Sequence, residues 1–257
     1  MSKIGGVIGC ALSIVMLVGC SRGPSRDVET FSVRGVEFKM IKVKAGSLEV
    51  DERGRKRKIE LTRDFYIGQT VVTQELWFAV MQQPHMWFKG GDVPAECVSW
   101  NDAMKFCDRL TGMIKLPRGW KFTLPTEAQW EFAARGGTKS RGYIYSGSNR
   151  LSEVCKYDER EDEVDTVHGV LCYKSNELGL YDMSGNVGEW CLNDYDGEQK
   201  NEFSRGNDRG GYRAYRGCSG GLLPEPCAGD CMPSSRQKLG AHEHLMGVGF
   251  RIVLVRE

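Results

Sequence analysis

The chain has 257 residues, 40% of them hydrophobic and 27% charged, which excludes a disordered chain or a coiled coil and fits an ordinary globular protein. Its 35 Lys+Arg against 34 Asp+Glu leave a formal net charge of +1, so no overall field draws it to nucleic acid or to an anionic membrane surface. The length suits one large domain or two small ones.

The N-terminus reads as an address. Met1-Ser2-Lys3 supplies one positive charge and Ile4 to Val18 is apolar or small throughout, too short for a transmembrane span and in keeping with a secretory signal. The small residue before Cys20 resembles the lipobox of bacterial lipoproteins, in which the cysteine is acylated and becomes the first mature residue. That resemblance implies a signal peptide over 1–19, lipidation at Cys20 and a place in the bacterial cell envelope, lipid-anchored to a membrane and extracytoplasmic. The polar, aperiodic run SRGPSRDVET makes 20–30 a flexible tether, with the folded domain over 31–257.

Export changes how the cysteines are read. Of the 10 Cys, Cys10 leaves with the signal and Cys20 carries lipid, which leaves Cys97, Cys107, Cys155, Cys172, Cys191, Cys218, Cys227 and Cys231. An even number in an oxidising compartment permits disulfides, with the pairing open.

From Phe31 the chain reads as strands: FSVRGVEFKMIKVKAG alternates apolar and polar residues until Gly46, and KRKIELTRDFYI at Lys56 to Ile67 alternates again. The basic stretch between them, around Gly54, reads as a solvated hairpin tip. Three helices follow. Thr73 precedes QELWFAVM. Ser99 and Asp102 form an S-x-x-D capping pattern ahead of Ala103, Phe106, Cys107 and Leu110, with Gly112 as the stop, which makes Cys107 a core residue. Thr126 and Gln129 form a T-x-x-Q box, and Gly136-Gly137 ends that helix. Beyond Gly137 no further helix is predicted, only short apolar runs between polar, Gly-rich loops. His242-Glu243-His244 and the acidic run Glu159 to Asp165 read as loops.

Three motifs then stand in order: LPTEAQWEFAARGG at Leu124 to Gly137, NELGLYDMSGNVGEW at Asn176 to Trp190, and GVGFRIV at Gly247 to Val253. Together they closely resemble the domain shared by formylglycine-generating enzymes, also called sulfatase-modifying factors. VEFKMIKVKAG, DFYIGQTVVTQELWFAVM and VPAECVSWNDAMKFCDRL sit where that family has its opening strands and first two helices. The resemblance runs from Phe31 to the C-terminus. It implies an α+β fold, a variant of the C-type lectin architecture with small β-sheets, about three helices and much irregular ordered loop.

The scaffold does not fix the function, so the site must. In the copper oxidases of this family the C-terminal motif resembles R-G-G-S-x-x-C-x4-C, whose two thiolates bind Cu(I), a soft ion that prefers sulfur. Here Arg216-Gly217-Cys218-Ser219 keeps the start with Cys in place of the second Gly, Leu222 stands at the first thiolate position and Cys227 at the second. Leu has no donor atom. The nearest second sulfur is Cys231, and a Cys227/Cys231 pair is open to three readings: an off-pattern copper site, a small disulfide loop, or free thiols. Gly220 stands where relatives commonly have Trp or Tyr, which removes an aromatic anchor. Asn186 and Glu189 in SGNVGEW resemble the family's calcium-binding turn, in which hard oxygen ligands suit Ca²⁺, although a tight turn selects the same Ser-Gly-Asn.

Two functions compete, ahead of a third, a partner domain in a larger oxidase system. The first is a recognition module without oxidase activity, for an unknown protein or glycan ligand, with Cys218, Gly220, Gly221, Leu222, Leu223 and Asp230 as candidate binding positions. One form of it is a lectin-fold protein whose 3′ gene end is randomised at adenines by a diversity-generating retroelement. The second is a formylglycine-generating oxidase that converts a cysteine of exported sulfatases with Cu and O2, using Cys227 and Cys231.

Overall fold

A computed structural model describes residues 23–52, 54–83, 90–158, 163–164, 167–195, 211–218 and 228–257. The first strand, β1 (Val28–Val33), turns at Arg34-Gly35 into β2 (Val36–Val43), so the alternating segment begins three residues before Phe31, inside the stretch expected to be tether. The hydroxyl of Tyr66 donates to the Arg26 carbonyl at 3.0 Å and fixes the chain ahead of that strand.

The next pair, β3 (Gly46–Glu52) and β4 (Arg55–Leu61), is the expected hairpin. Its tip uses Gly54 at φ +83°, a left-handed conformation that glycine adopts without a Cβ clash, and the Gly54 N–H donates to Asp51 Oδ1 at 2.8 Å. Then come β5 (Phe65–Gly68), α1 (Gln74–Met81), α2 (Trp100–Met113), β6 (Trp120–Thr123) and α3 (Glu127–Ala134).

All three helices start at the residues that capping chemistry predicts. Thr73 accepts from the Leu76 N–H and Ser99 from the Asp102 N–H. Thr126 and Gln129 form a complete reciprocal box. The end of α2 differs from expectation: Gly112 lies inside the last turn, and the helix stops where Ile114 turns extended with its N–H still bonded to the Leu110 carbonyl. α3 ends as expected, at Gly136 (φ +88°) and Gly137 (φ +56°).

After two short 3-10 turns, Gly137–Lys139 and Leu151–Glu153, the chain contributes only strands among the described residues. They are β7 (Tyr157–Asp158), β8 (Glu163–Val164), β9 (Gly188–Asp194), β10 (Tyr212–Arg216), β11 (Gln237–Gly240), β12 (Val248–Gly249) and β13 (Val253–Arg256).

Two sheets organise them. A five-stranded antiparallel sheet has the order β1-β2-β5-β13-β6, so the C-terminal strand sits between strands from the first half of the chain. A four-stranded sheet has the order β11-β10-β9-β12, with β12 parallel to β9.

Strand alternation splits the core. Met40, Tyr66 and Leu254 face one side of the five-stranded sheet, where they pack with Leu76, Trp77, Phe106 and Leu110 of α1 and α2. Their neighbours Ile41, Phe65, Ile67 and Val253 face the other side, against Trp130, Phe132 and Ala133 of α3. Trp77 stacks on Phe106 at 5.8 Å, and Phe250 meets both edge-on at 6.1 and 5.1 Å. Each such buried side chain contributes about 1.5–3 kcal/mol relative to exposure. Cys107 is fully buried in the first of these clusters, as its helical position predicts.

Candidate functional site

The motifs that stand out in the sequence meet through buried charge. Glu189, the second residue of β9, receives the Trp130 indole Nε1–H on Oε2 at 2.6 Å. The same carboxylate receives Arg251 Nε at 3.2 and 2.9 Å and Nη2 at 2.8 Å. Arg251 spends its remaining donors on the carbonyls of Gly68, Gln69 and Tyr181. Glu189 and Arg251 are both 0% exposed, so each neutralises a charge that neither could hold alone.

A second network lies alongside. Arg216 Nε contacts Glu127 Oε2 at 3.2 Å and Nη1 reaches Glu131 Oε2 at 3.1 Å and the Pro233 carbonyl at 2.9 Å. Arg236 grips Glu127 with two bonds, at 2.6 and 2.7 Å. Arg57 and Arg135 complete the charge on Glu131. The acidic residues of α3 therefore hold the end of β10 and the start of β11.

These contacts occupy the side chains of Asn186 and Glu189. The Glu189 oxygens point at a guanidinium and an indole N–H, both of which present positive charge where a cation would sit. Asn186, at φ +71°, accepts the His168 N–H on Oδ1 at 3.0 Å and donates to the His168 carbonyl at 3.1 Å. The pair does not fit a Ca²⁺ site, and the tight-turn reading of Ser-Gly-Asn explains the sequence. Among the described residues no group of His, Cys, Asp and Glu is arranged to hold a metal ion. His242-Glu243-His244 is loop, with His244 Nε2 3.0 Å from Asp102 Oδ2.

The cysteines of the C-terminal segment are placed inward. Cys218, just past β10, and Cys231 are 1% and 0% exposed, and both join Cys155, Tyr145, Leu151 and Val154 in a small separate core. Cys231 shares this core with the thiols of Cys155 and Cys218, and their proximity together with burial pushes its pKa far up. Cys218, expected as a surface binding position, is thus a core residue. The proposed copper partner Cys231 is buried among the same core residues as two other thiols. Asp230 is half-buried beside Tyr215, whose hydroxyl it helps, after burial, to keep protonated. Cys20, Gly220, Gly221, Leu222, Leu223 and Cys227 lie outside the described residues.

A surface feature emerges that the sequence did not suggest. Tyr195 at the end of β9, Tyr212 at the start of β10 and Lys238 on the edge strand β11 form a ledge, with Lys238 Nζ 5.7 Å from the Tyr195 ring and 5.1 Å from the Tyr212 ring. Arg236 lies 4.9 Å over Tyr195, and Arg213 lies 4.1 Å over Trp100 nearby. Tyr212 is 48% exposed. The pairing of β11 with β10 that brings Lys238 opposite Ala214 and beside Tyr212 has no local signal in the sequence.

A helix-and-two-sheet scaffold with these motifs defines a C-type lectin-like domain of the formylglycine-generating kind. Residues 25–256 match the Sulfatase-modifying factor enzyme 1-like domain, and the chain belongs to that family. It is 33% identical over 196 residues to the chaperone protein LppX of Paenibacillus barcinonensis, covering 59% of this chain and 70% of that one. Inactive C-alpha-formylglycine-generating enzyme 2 of Bos taurus is 36% identical over 115 residues, 40% of this chain and 34% of that protein. Among solved structures, Treponema denticola variable protein 1 superposes with a TM-score of 0.73 at 27% identity, covering 89% of this chain and 99% of that one.

Proposed function

We propose that the chain is a lipid-anchored, extracytoplasmic recognition module on the sulfatase-modifying-factor scaffold, and that it does not carry out the family's copper-dependent oxidation. The observation that carries this reading is the position of Cys231. With Leu222 at one thiolate position, the second sulfur of an oxidase must come from Cys231, and that thiol is 0% exposed and turned toward Cys155 and Cys218. An oxidase of this kind needs two sulfurs that reach a substrate cysteine. The relatives whose names include an inactive enzyme, a chaperone and a variable protein support a binding role.

The ledge of Tyr195, Tyr212 and Lys238 is the surface best suited to a protein or glycan ligand, since tyrosine rings offer wide contact at low entropy cost and Lys238 adds a charge. Attachment through Cys20 would set this surface outside the membrane. Fatty-acid labelling of the full chain, abolished by Cys20→Ala, tests the anchor. If a retroelement diversifies the gene, a near-repeat of its 3′ end and a reverse transcriptase stand beside it.

The activity itself is tested by incubating the reduced, copper-supplied protein with a Cys-x-Pro-x-Arg peptide in air. The expected result is an unchanged peptide cysteine. Formation of the aldehyde, lost on Cys227→Ser, would overturn the reading.

A further inference from the structure

Three thiols from three separate segments converge in one small buried core of the protein. Cys155 lies just past the 3-10 turn Leu151–Glu153, Cys218 lies two residues past the end of β10, and Cys231 lies in the turn over 228–231. Their exposures are 1%, 1% and 0%. Cys231 touches both of the others, and their packing partners are the apolar Tyr145, Leu151, Val154, Ala228 and Met232. On the far side the backbone closes in: a Cβ at Gly185 would collide with the Cys155 sulfur.

We propose that Cys231 is the shared member of a disulfide-exchange triad: in oxidised protein it bonds to either Cys218 or Cys155, and the thiol left over can displace the one in use. The chemistry balances in two steps. A disulfide of an external thiol oxidant accepts two electrons from Cys231 and Cys218, becoming two thiols while the Cys218–Cys231 bond forms. Cys155, as thiolate, then attacks the Cys231 sulfur. The Cys155–Cys231 bond forms, the Cys218 thiolate leaves, and it takes up the proton that Cys155 gave up, with no net redox change.

The two isomers differ in what they tie. A Cys218–Cys231 bond closes the C-terminal segment on itself at the end of β10. A Cys155–Cys231 bond staples it to the Leu151–Glu153 turn beside Gly185-Asn186. Because the thiols are buried and the attacking species must be the thiolate, exchange is slow in the closed fold and runs when the pocket opens. The inference uses only the placement of these three sulfurs and holds whether or not the recognition reading is correct.

The test is peptide mapping of the full-length protein, equilibrated in a glutathione redox buffer, trapped with acid and an alkylating agent, and digested without reduction. Trypsin releases Cys155 on Leu151–Lys156 and keeps Cys218, Cys227 and Cys231 together on Gly217–Arg236, whose internal bond is located by fragmentation. The expected result is one disulfide per molecule on Cys231, divided between Cys155 and Cys218. Cys155→Ala should move all of it to Cys218, and Cys218→Ala all of it to Cys155. Cys231 recovered as a free thiol in wild-type protein that has oxidised elsewhere, or bonded to Cys227, would overturn the proposal. That wild-type result does not depend on any variant folding.

Discussion

The carboxylate of Glu189 and the guanidinium of Arg251, 62 residues apart in sequence, form a bidentate pair with no solvent exposure, closed on the third side by the Trp130 indole. Three of the motifs that mark the family are thereby one object. The Trp of LPTEAQW, the Glu of GNVGEW and the Arg of GFR are framework.

Glu189→Gln should therefore be severe. It leaves the Arg251 charge buried without its counter-ion, at a cost of about 3–5 kcal/mol. Urea unfolding followed by tryptophan fluorescence measures it. Adding Ca²⁺ or a chelator should leave the wild-type midpoint where it is, whereas a calcium-dependent rise would return Glu189 to the role of ligand.

Gly185→Ala should destabilise the small thiol core. The new methyl meets the Cys155 sulfur and its Cβ, and over-packing of this kind costs about 1–3 kcal/mol. A thermal melt of Gly185→Ala that is rescued in part by Cys155→Ala would place the strain where the geometry puts it.

Tyr66 gives the protein an alkaline limit. Burial pushes its hydroxyl from the ordinary value of 10.0 up to about 12, with the charges of Glu29, Asp64 and Asp27 adding to the shift. The folded state holds this proton more tightly than the unfolded chain does. Its contribution is thus complete below pH 10 and is lost as pH rises toward about 12. Stability should fall across that window, and Tyr66→Phe should flatten the fall while removing the bond to the Arg26 carbonyl.

The recognition surface has its own test. Tyr212, Met246 and Val28 are similarly exposed, at 48%, 50% and 45%. A photo-crosslinking residue placed at Tyr212 should trap a ligand in cells that the same residue at Met246 or Val28 does not. Equal yields at all three sites would remove the ledge from the account.

Much of the scaffold was legible because its signals are local. The caps at Thr73, Ser99 and Thr126 follow from side chains three residues from their targets, and the hairpin at Gly54 from alternation on both flanks. What escaped depends on long-range partners. Asn186 and Glu189 present oxygen on a Gly-rich turn whether they bind a cation or not, and only the arrival of Arg251 and the His168 backbone decides. Gly112 looked like a stop, yet nothing in its surroundings prevents one more helical residue, so α2 continues to Met113. Cys231 is paired in the sequence with its near neighbour Cys227, which lies outside the described residues, and among the described residues it shares a core with Cys155 and Cys218.

The most direct test of the central claim is a Cu(I) titration of the fully reduced protein against a competing copper chelator. The account predicts no high-affinity Cu(I) site that depends on Cys227, because Leu222 lacks a donor and Cys231 is buried with Cys155 and Cys218. One equivalent of tightly bound Cu(I), lost on Cys227→Ser, would contradict it.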